Sequence, residues 1–159
     1  VNLEEGSYME MATAQIKGVD STYRKTEAKL AARSKLIIHE KIMTHGKQAA
    51  VTDFKVDLDG EDCGAHVISR SVATEYSHQK YISRVNGNNR CNGHTECDAI
   101  IMDKASVEAI PEIAANDTDA SLIHEAAIGK IAGEQLTKLM TLGLTEKEAA
   151  EQIINGFLK

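Results

Sequence analysis

At 159 residues the chain suits one domain, with room for a small appendage and no need of disulfide staples. Eighteen basic against 24 acidic residues, a formal charge of −6, exclude the basic footprint that a general phosphate-backbone binder carries, so nucleic acid is not expected as a partner. No apolar run approaches the roughly 20 residues needed to cross a bilayer and no charged-then-apolar leader is visible, so the expectation is a soluble, cytoplasmic chain with no membrane partner.

The first residue is Val1 rather than methionine, and a processed or trimmed chain is expected. Cys63, Cys91 and Cys97 make an odd cysteine count, which suits a reducing compartment where free thiolates act as ligands better than it suits an oxidised framework.

In chain order, residues 28 to 42 alternate. Ala28, Leu30, Ala32, Leu36, Ile38 and Ile42 fall on one face, and Lys29, Arg33, Lys35, His39 and Lys41 mostly on the other, which is a strand period with one buried side. Phe54, Val56 and Leu58 repeat the pattern and run into Asp59-Gly60, a turn signal. Ala65 to Ala73 is short and partly apolar. Tyr81 to Val85 leads into Asn86-Gly87, read as an equivalent corner about 27 residues after the first. After each corner comes a small-residue and histidine element, Gly64-Ala65-His66 and then Gly93-His94, before a new apolar run such as Ala99-Ile100-Ile101-Met102. Periodicity alone leaves a β-sandwich and a stacked β-solenoid both open.

The last forty residues change character. Ile131, Leu136, Leu139, Met140 and Leu142 follow a helical period, with Gly143 placed as a C-terminal glycine cap. Thr145-Glu146-Lys147-Glu148 is a capping box opening a second helix with Ala149, Ala150, Ile153, Ile154 and Phe157 on one face. Two short amphipathic helices must bury their stripes on the β domain, on each other or on another protein.

Cys91-Asn92-Gly93-His94-Thr95-Glu96-Cys97-Asp98 is the densest set of soft-metal ligand types, because thiolate and imidazole suit zinc and iron–sulfur sites. In an extended strand, however, residues six apart share a face and the one midway points the other way, so all three ligands converge only in a loop. The bland alternative is that these cysteines are small buried hydrophobes, and Cys63 is read as structural. His124 and Glu125 are adjacent and so diverge in either strand or helix. On residue types alone they are an ordinary surface pair near a helix start, and His39, His45 and His78 are read as surface residues. There is no Gly-x4-Gly-Lys-[Ser/Thr] loop, no Gly-x-Ser-x-Gly elbow and no His-Glu-x-x-His helix, so an enzyme is not expected. Aromatics at 4% and the lack of a clear carboxylate pair set aside the β-helix carbohydrate enzymes.

From about Asp20 to Lys159 the chain resembles the SufB/SufD family of SUF-type iron–sulfur cluster assembly. Three blocks carry the resemblance in order: Gly93 to Met102, His124-Glu125-Ala126-Ala127-Ile128-Gly129-Lys130-Ile131, and Gly143 to Phe157 with Glu134-Gln135-Leu136 before it. The resemblance implies a mainly β fold, a right-handed parallel β-helix over residues 1–118 truncated at its N-terminal side, followed by a small helical segment over 119–159. It implies pairing with itself or a paralogue through β-helix strands, C-terminal helices that contact an ABC-type ATPase, and sulfur-donor and acceptor apoproteins as further partners. It also implies a transient iron–sulfur cluster at a protomer interface, with Cys97, His124 and Glu125 as site residues. Cys91 and Cys63 match no position of the family pattern and stand either as extra ligands, Cys91 first, or as packing residues. No flavin or sulfur-donor docking site is expected in this segment. The alternatives are a structural, ATPase-binding and dimerising subunit without its own cluster, and a zinc-binding β domain built on Cys91, His94 and Cys97.

Overall fold

The computed structural model describes residues 1–16 and 18–159. Ten strands run in chain order: β1 (Asn2–Leu3), β2 (Tyr8–Gln15), β3 (Ser21–Leu30), β4 (Lys35–Thr44), β5 (Ala49–Leu58), β6 (Cys63–Ala73), β7 (His78–Gly87), β8 (Cys91–Ile101), β9 (Ser106–Ala115) and β10 (Ala120–Gly129). Two helices follow, α1 (Gly133–Met140) and α2 (Glu146–Phe157). Odd strands form one five-stranded sheet, β1-β3-β5-β7-β9, and even strands the other, β10-β8-β6-β4-β2. Every pairing is parallel, so the strand part is a parallel β-solenoid in which each coil gives one strand to each sheet. This resolves the choice between sandwich and solenoid.

The coil length follows from the register. Ala49 pairs with His78, and His78 with Ser106; Cys63 pairs with Cys91, and Cys91 with Ala120. Alternation then sends one file of side chains inward at each position. Leu3, Leu30 and Leu58 stack in one file, and Ala28, Val56 and Val85 in the next. Each fully buried large aliphatic residue contributes about 1.5–3 kcal/mol relative to exposure, and stacking is what completes its burial. The corners repeat too. Gly6, Arg33 and Asp62 all take a left-handed backbone at one corner, and Gly46, Glu75 and Asp103 at another. An amide ladder joins successive coils, with Asn88 Nδ2 donating to Asp59 Oδ1 and Asn116 Nδ2 donating to Asn88 Oδ1.

Three expectations shift. Residues 28 to 42 are not one strand: β3 ends at Leu30 and β4 begins at Lys35, and the intervening corner preserves the even-in, odd-out parity. Asn86-Gly87 is not a corner, because Gly87 pairs with Leu58 inside the strand. A Cβ at Gly87 would lie 2.9 Å from the Ala120 Cβ and 3.1 Å from Cys91 Sγ, so the glycine serves close packing between coils rather than turning. Finally, β10 carries the solenoid on to Gly129, so the helical part starts at Gly133 and not at residue 119.

The second helix matches its capping signal, while α1 stops earlier than the glycine signal, with Thr141 as its C-cap and Leu142 outside the helix. Thr145 Oγ1 accepts from the Glu148 N–H while the Glu148 carboxylate accepts from the Thr145 N–H, and Gly143 has φ +96° just beyond α1. Ala149 and Ile154 are buried, whereas α1 buries no residue at all. Lys41 Nζ donates to the Lys159 carbonyl, tying the end of the described chain to the even-strand sheet.

Candidate metal-ligand site

Strand parity decides where every candidate ligand points. On β8, Cys91, Gly93, Thr95, Cys97 and Ala99 are inward, while Asn92, His94, Glu96 and Asp98 are outward. Cys91 and Cys97 therefore share a face that excludes His94, and the zinc knuckle of Cys91, His94 and Cys97 does not form. Cys91 is no partner to Cys97 either: six residues of strand at about 3.3 Å each separate them by ~20 Å. Cys91 instead pairs with Cys63, both free and buried.

Cys97 is 2% exposed and sits in the inward file Glu40, Ser69, Cys97, Ala126. The file begins polar. Glu40 accepts from Thr52 Oγ1 at 3.1 Å and from Ser69 Oγ at 2.8 Å, and it pairs with Arg24. Two acceptor contacts and a guanidinium make this buried carboxylate tenable. A void of about 10 Å³, room for roughly one water, lies among Glu40, Ser69, Tyr81, Cys97 and their neighbours. Burial, reinforced by the neighbouring Asp98 charge, pushes the Cys97 thiol up to about 12, so it is protonated at neutral pH. Burial also raises the Tyr81 phenol, whose oxygen has no hydrogen-bond partner.

His124 lies in the adjacent inward file, Ile38, Val67, Thr95, His124, which changes from apolar to polar towards the last coil. Its Nδ1 is 2.7 Å from Thr95 Oγ1, while its Nε2 is buried without a partner. Burial, with a smaller effect of His94, lowers the His124 pKa below the ordinary imidazole value and favours the neutral ring. Across the β8–β10 pairing, His124 faces Thr95 and Ala126 faces Cys97, so imidazole and thiol occupy one interior face a single alternate position apart. The sequence neighbours His124 and Glu125 are split by the same parity: Glu125 faces out, opposite Glu96.

The outer face holds a second group that the sequence reading did not assemble. His66 pairs with His94 across β6 and β8, their rings stacked 4.8 Å apart and within 6° of parallel. His66 Nε2 is 2.9 Å from Glu96 Oε1, and His94 Nε2 is 3.8 Å from Glu96 Oε1 and 3.6 Å from Glu125 Oε2. The available signal was the coil period itself. His66 and His94 are 28 residues apart, in the two small-residue and histidine elements noted from the sequence.

β9 and β10 end the two sheets, and among the described residues no strand pairs with their outer edges. Exposed Ile113, Ile123 and Ile128 lie on these last strands. Among the described residues no helix is long and apolar enough to cross a membrane.

The sequence profile of the SUF system FeS cluster assembly SufBD core domain matches residues 1–157. The chain is similar to an iron–sulfur cluster assembly SufBD family protein of Methanothermobacter thermautotrophicus, 37% identical over 71% of this chain and 28% of that one. It is similar to a SufBD family protein of Pyrococcus horikoshii, 32% identical over 86% of this chain and 44% of that one. It is also similar to iron–sulfur cluster assembly protein SufB of Bacillus subtilis, 34% identical over 58% of this chain and 21% of that one. This chain thus spans less than half the length of these relatives, and with nearly all of it matched by the core-domain profile it belongs to the SufBD core family.

Proposed function

We propose that this chain is part of a scaffold on which SUF-type iron–sulfur clusters are built, with Cys97 and His124 as ligands from this protomer. The observation that carries the reading is their shared interior face across the last two coils, one thiol and one imidazole with an unpartnered Nε2. The nascent cluster is the cargo. Cys97 arrives as a protonated thiol, and binding a soft cation would release its proton, so the site is latent until iron is offered. Thr95 holds Nδ1 and thereby aims the other ring nitrogen, the usual way in which an outer hydrogen bond orients a histidine ligand.

Ligands beyond these two come from outside this protomer, and the open edges of β9 and β10 with their exposed isoleucines suit pairing with a second copy or a paralogue. Glu125 takes no part in the interior site within one protomer. The ABC-type ATPase is assigned to the helices, since α1 buries nothing and Met140 and Leu142 stay exposed. Motion of that partner would open or close the shared site by shifting the population of the paired form.

Anaerobic reconstitution of the chain with ferrous iron and sulfide tests the assignment. Wild type is expected to gain a visible chromophore with stoichiometric iron and acid-labile sulfide, and Cys97→Ala to lose it. Equal cluster content in the two proteins sinks the ligand assignment. A stable ATPase complex with no cluster in either protein would favour a purely structural, dimerising subunit.

A further inference from the structure

We infer that the outer face of the even-strand sheet holds a second, separate site for one divalent transition-metal ion of borderline softness, ferrous iron or zinc, bound by His66, His94 and Glu96 with Glu125 as the fourth ligand. The parallel register builds it. In-register pairing sets His66 and His94 side by side at the strand spacing, and Glu96 follows His94 on the same face two residues later. Glu125 faces Glu96 from the next strand, so the four ligands come from three successive coils.

The three core ligand atoms lie within 4.8 Å of one another, with individual separations of 2.9 and 3.8 Å, and Glu125 is 3.6 Å from His94. Ligands at 2.0–2.2 Å around a tetrahedral ion stand about 3.3–3.6 Å apart, so the set closes when the two parallel rings tilt towards a common point and the widest pair draws in by about 1 Å. A plain histidine–carboxylate surface pair would account for His66 and Glu96. It does not account for His94, whose Nε2 is buried without a hydrogen-bond partner while facing two carboxylates. Two imidazoles and two carboxylates, with all three thiols on the other side of the wall, select against both Cu(I) and the hard ions Ca²⁺ and Mg²⁺.

An ion here would clamp β10 to β8 and β6 from outside, across the same wall whose inner side carries Cys97 and His124. The site stands whether or not a cluster forms within.

Cobalt substitution on the full chain tests it, with zinc and anaerobic ferrous iron as competitors. One Co²⁺ per chain is expected to give tetrahedral visible bands without the near-ultraviolet charge-transfer band of a thiolate ligand. His66→Gln and His94→Gln are each expected to weaken binding at least ~10-fold with an unchanged apo circular-dichroism melt. Cys97→Ala is expected to bind as wild type, which separates this site from the interior one. Competition by zinc alone, or by zinc and ferrous iron together, identifies the ion class served. A thiolate charge-transfer band, no stoichiometric uptake, or full affinity in both histidine variants overturns the proposal.

Discussion

Cys97 in the folded chain should alkylate about a thousandfold more slowly than in the unfolded chain. The challenge is an uncharged haloacetamide under native conditions, followed by mass spectrometry of the Cys97 peptide, against the same chain in denaturant. The magnitude comes from protonation alone. The thiolate is the nucleophile, and a thiol moved from an ordinary 9.0 up to about 12 loses a factor of ~10³ in thiolate at any pH below both values. Steric burial at 2% exposure acts in the same direction, while the greater intrinsic nucleophilicity of a more basic thiolate acts against it. Linkage gives the companion signal. The folded value lies above the unfolded one, so the stabilisation is whole below about pH 9 and is lost as pH rises through about 12, worth at most ~4 kcal/mol for this one group. Native labelling of Cys97 within about tenfold of the unfolded rate would refute the inward placement of the thiol.

Other substitutions probe the parts around it. Thr95→Val removes the hydroxyl that holds His124 Nδ1, and denaturant melts should show a loss of ~1 kcal/mol together with reduced cluster content after reconstitution. Glu40→Ala strands Arg24 and the hydroxyls of Thr52 and Ser69, and should lower the unfolding free energy measured in urea by ~3 kcal/mol. Gly60→Ala places a Cβ 2.0 Å from the Ala32 backbone nitrogen, so it should destabilise by at least ~3 kcal/mol or prevent folding. Gly156→Ala, in open space within α2, should instead be neutral or stabilising by up to ~1 kcal/mol in a thermal melt.

Much of the fold was legible because a solenoid writes its coil length into the sequence. The recurring Gly-His element reported a repeat close to the true register, and the capping box at Thr145 was a local signal that tertiary context left alone. What misled was also physical. The four-residue corner Ala31–Ser34 keeps the parity of Leu30 and Leu36, so two strands look like one. Asn86-Gly87 has turn chemistry, yet its glycine is needed for contact with Ala120 and Cys91. Around His124 the apolar alternation fails because β10 is the terminal strand and leaves Ile123 and Ile128 exposed, so the segment looks unlike the strands buried within the stack. The divergence of His94 from Cys91 and Cys97 followed directly from a period of two. The meeting of His66 with His94, and of Cys97 with His124, needed the register between coils, which no single segment contains.

The central claim is that Cys97 and His124 hold the same cluster. Pulsed EPR of the dithionite-reduced, reconstituted chain labelled with ¹⁵N-histidine measures this directly. The account predicts a strongly coupled ¹⁵N nucleus that disappears in His124→Ala and persists in His66→Gln and His94→Gln. A cluster without nitrogen coupling, or a coupling that survives His124→Ala, would contradict it.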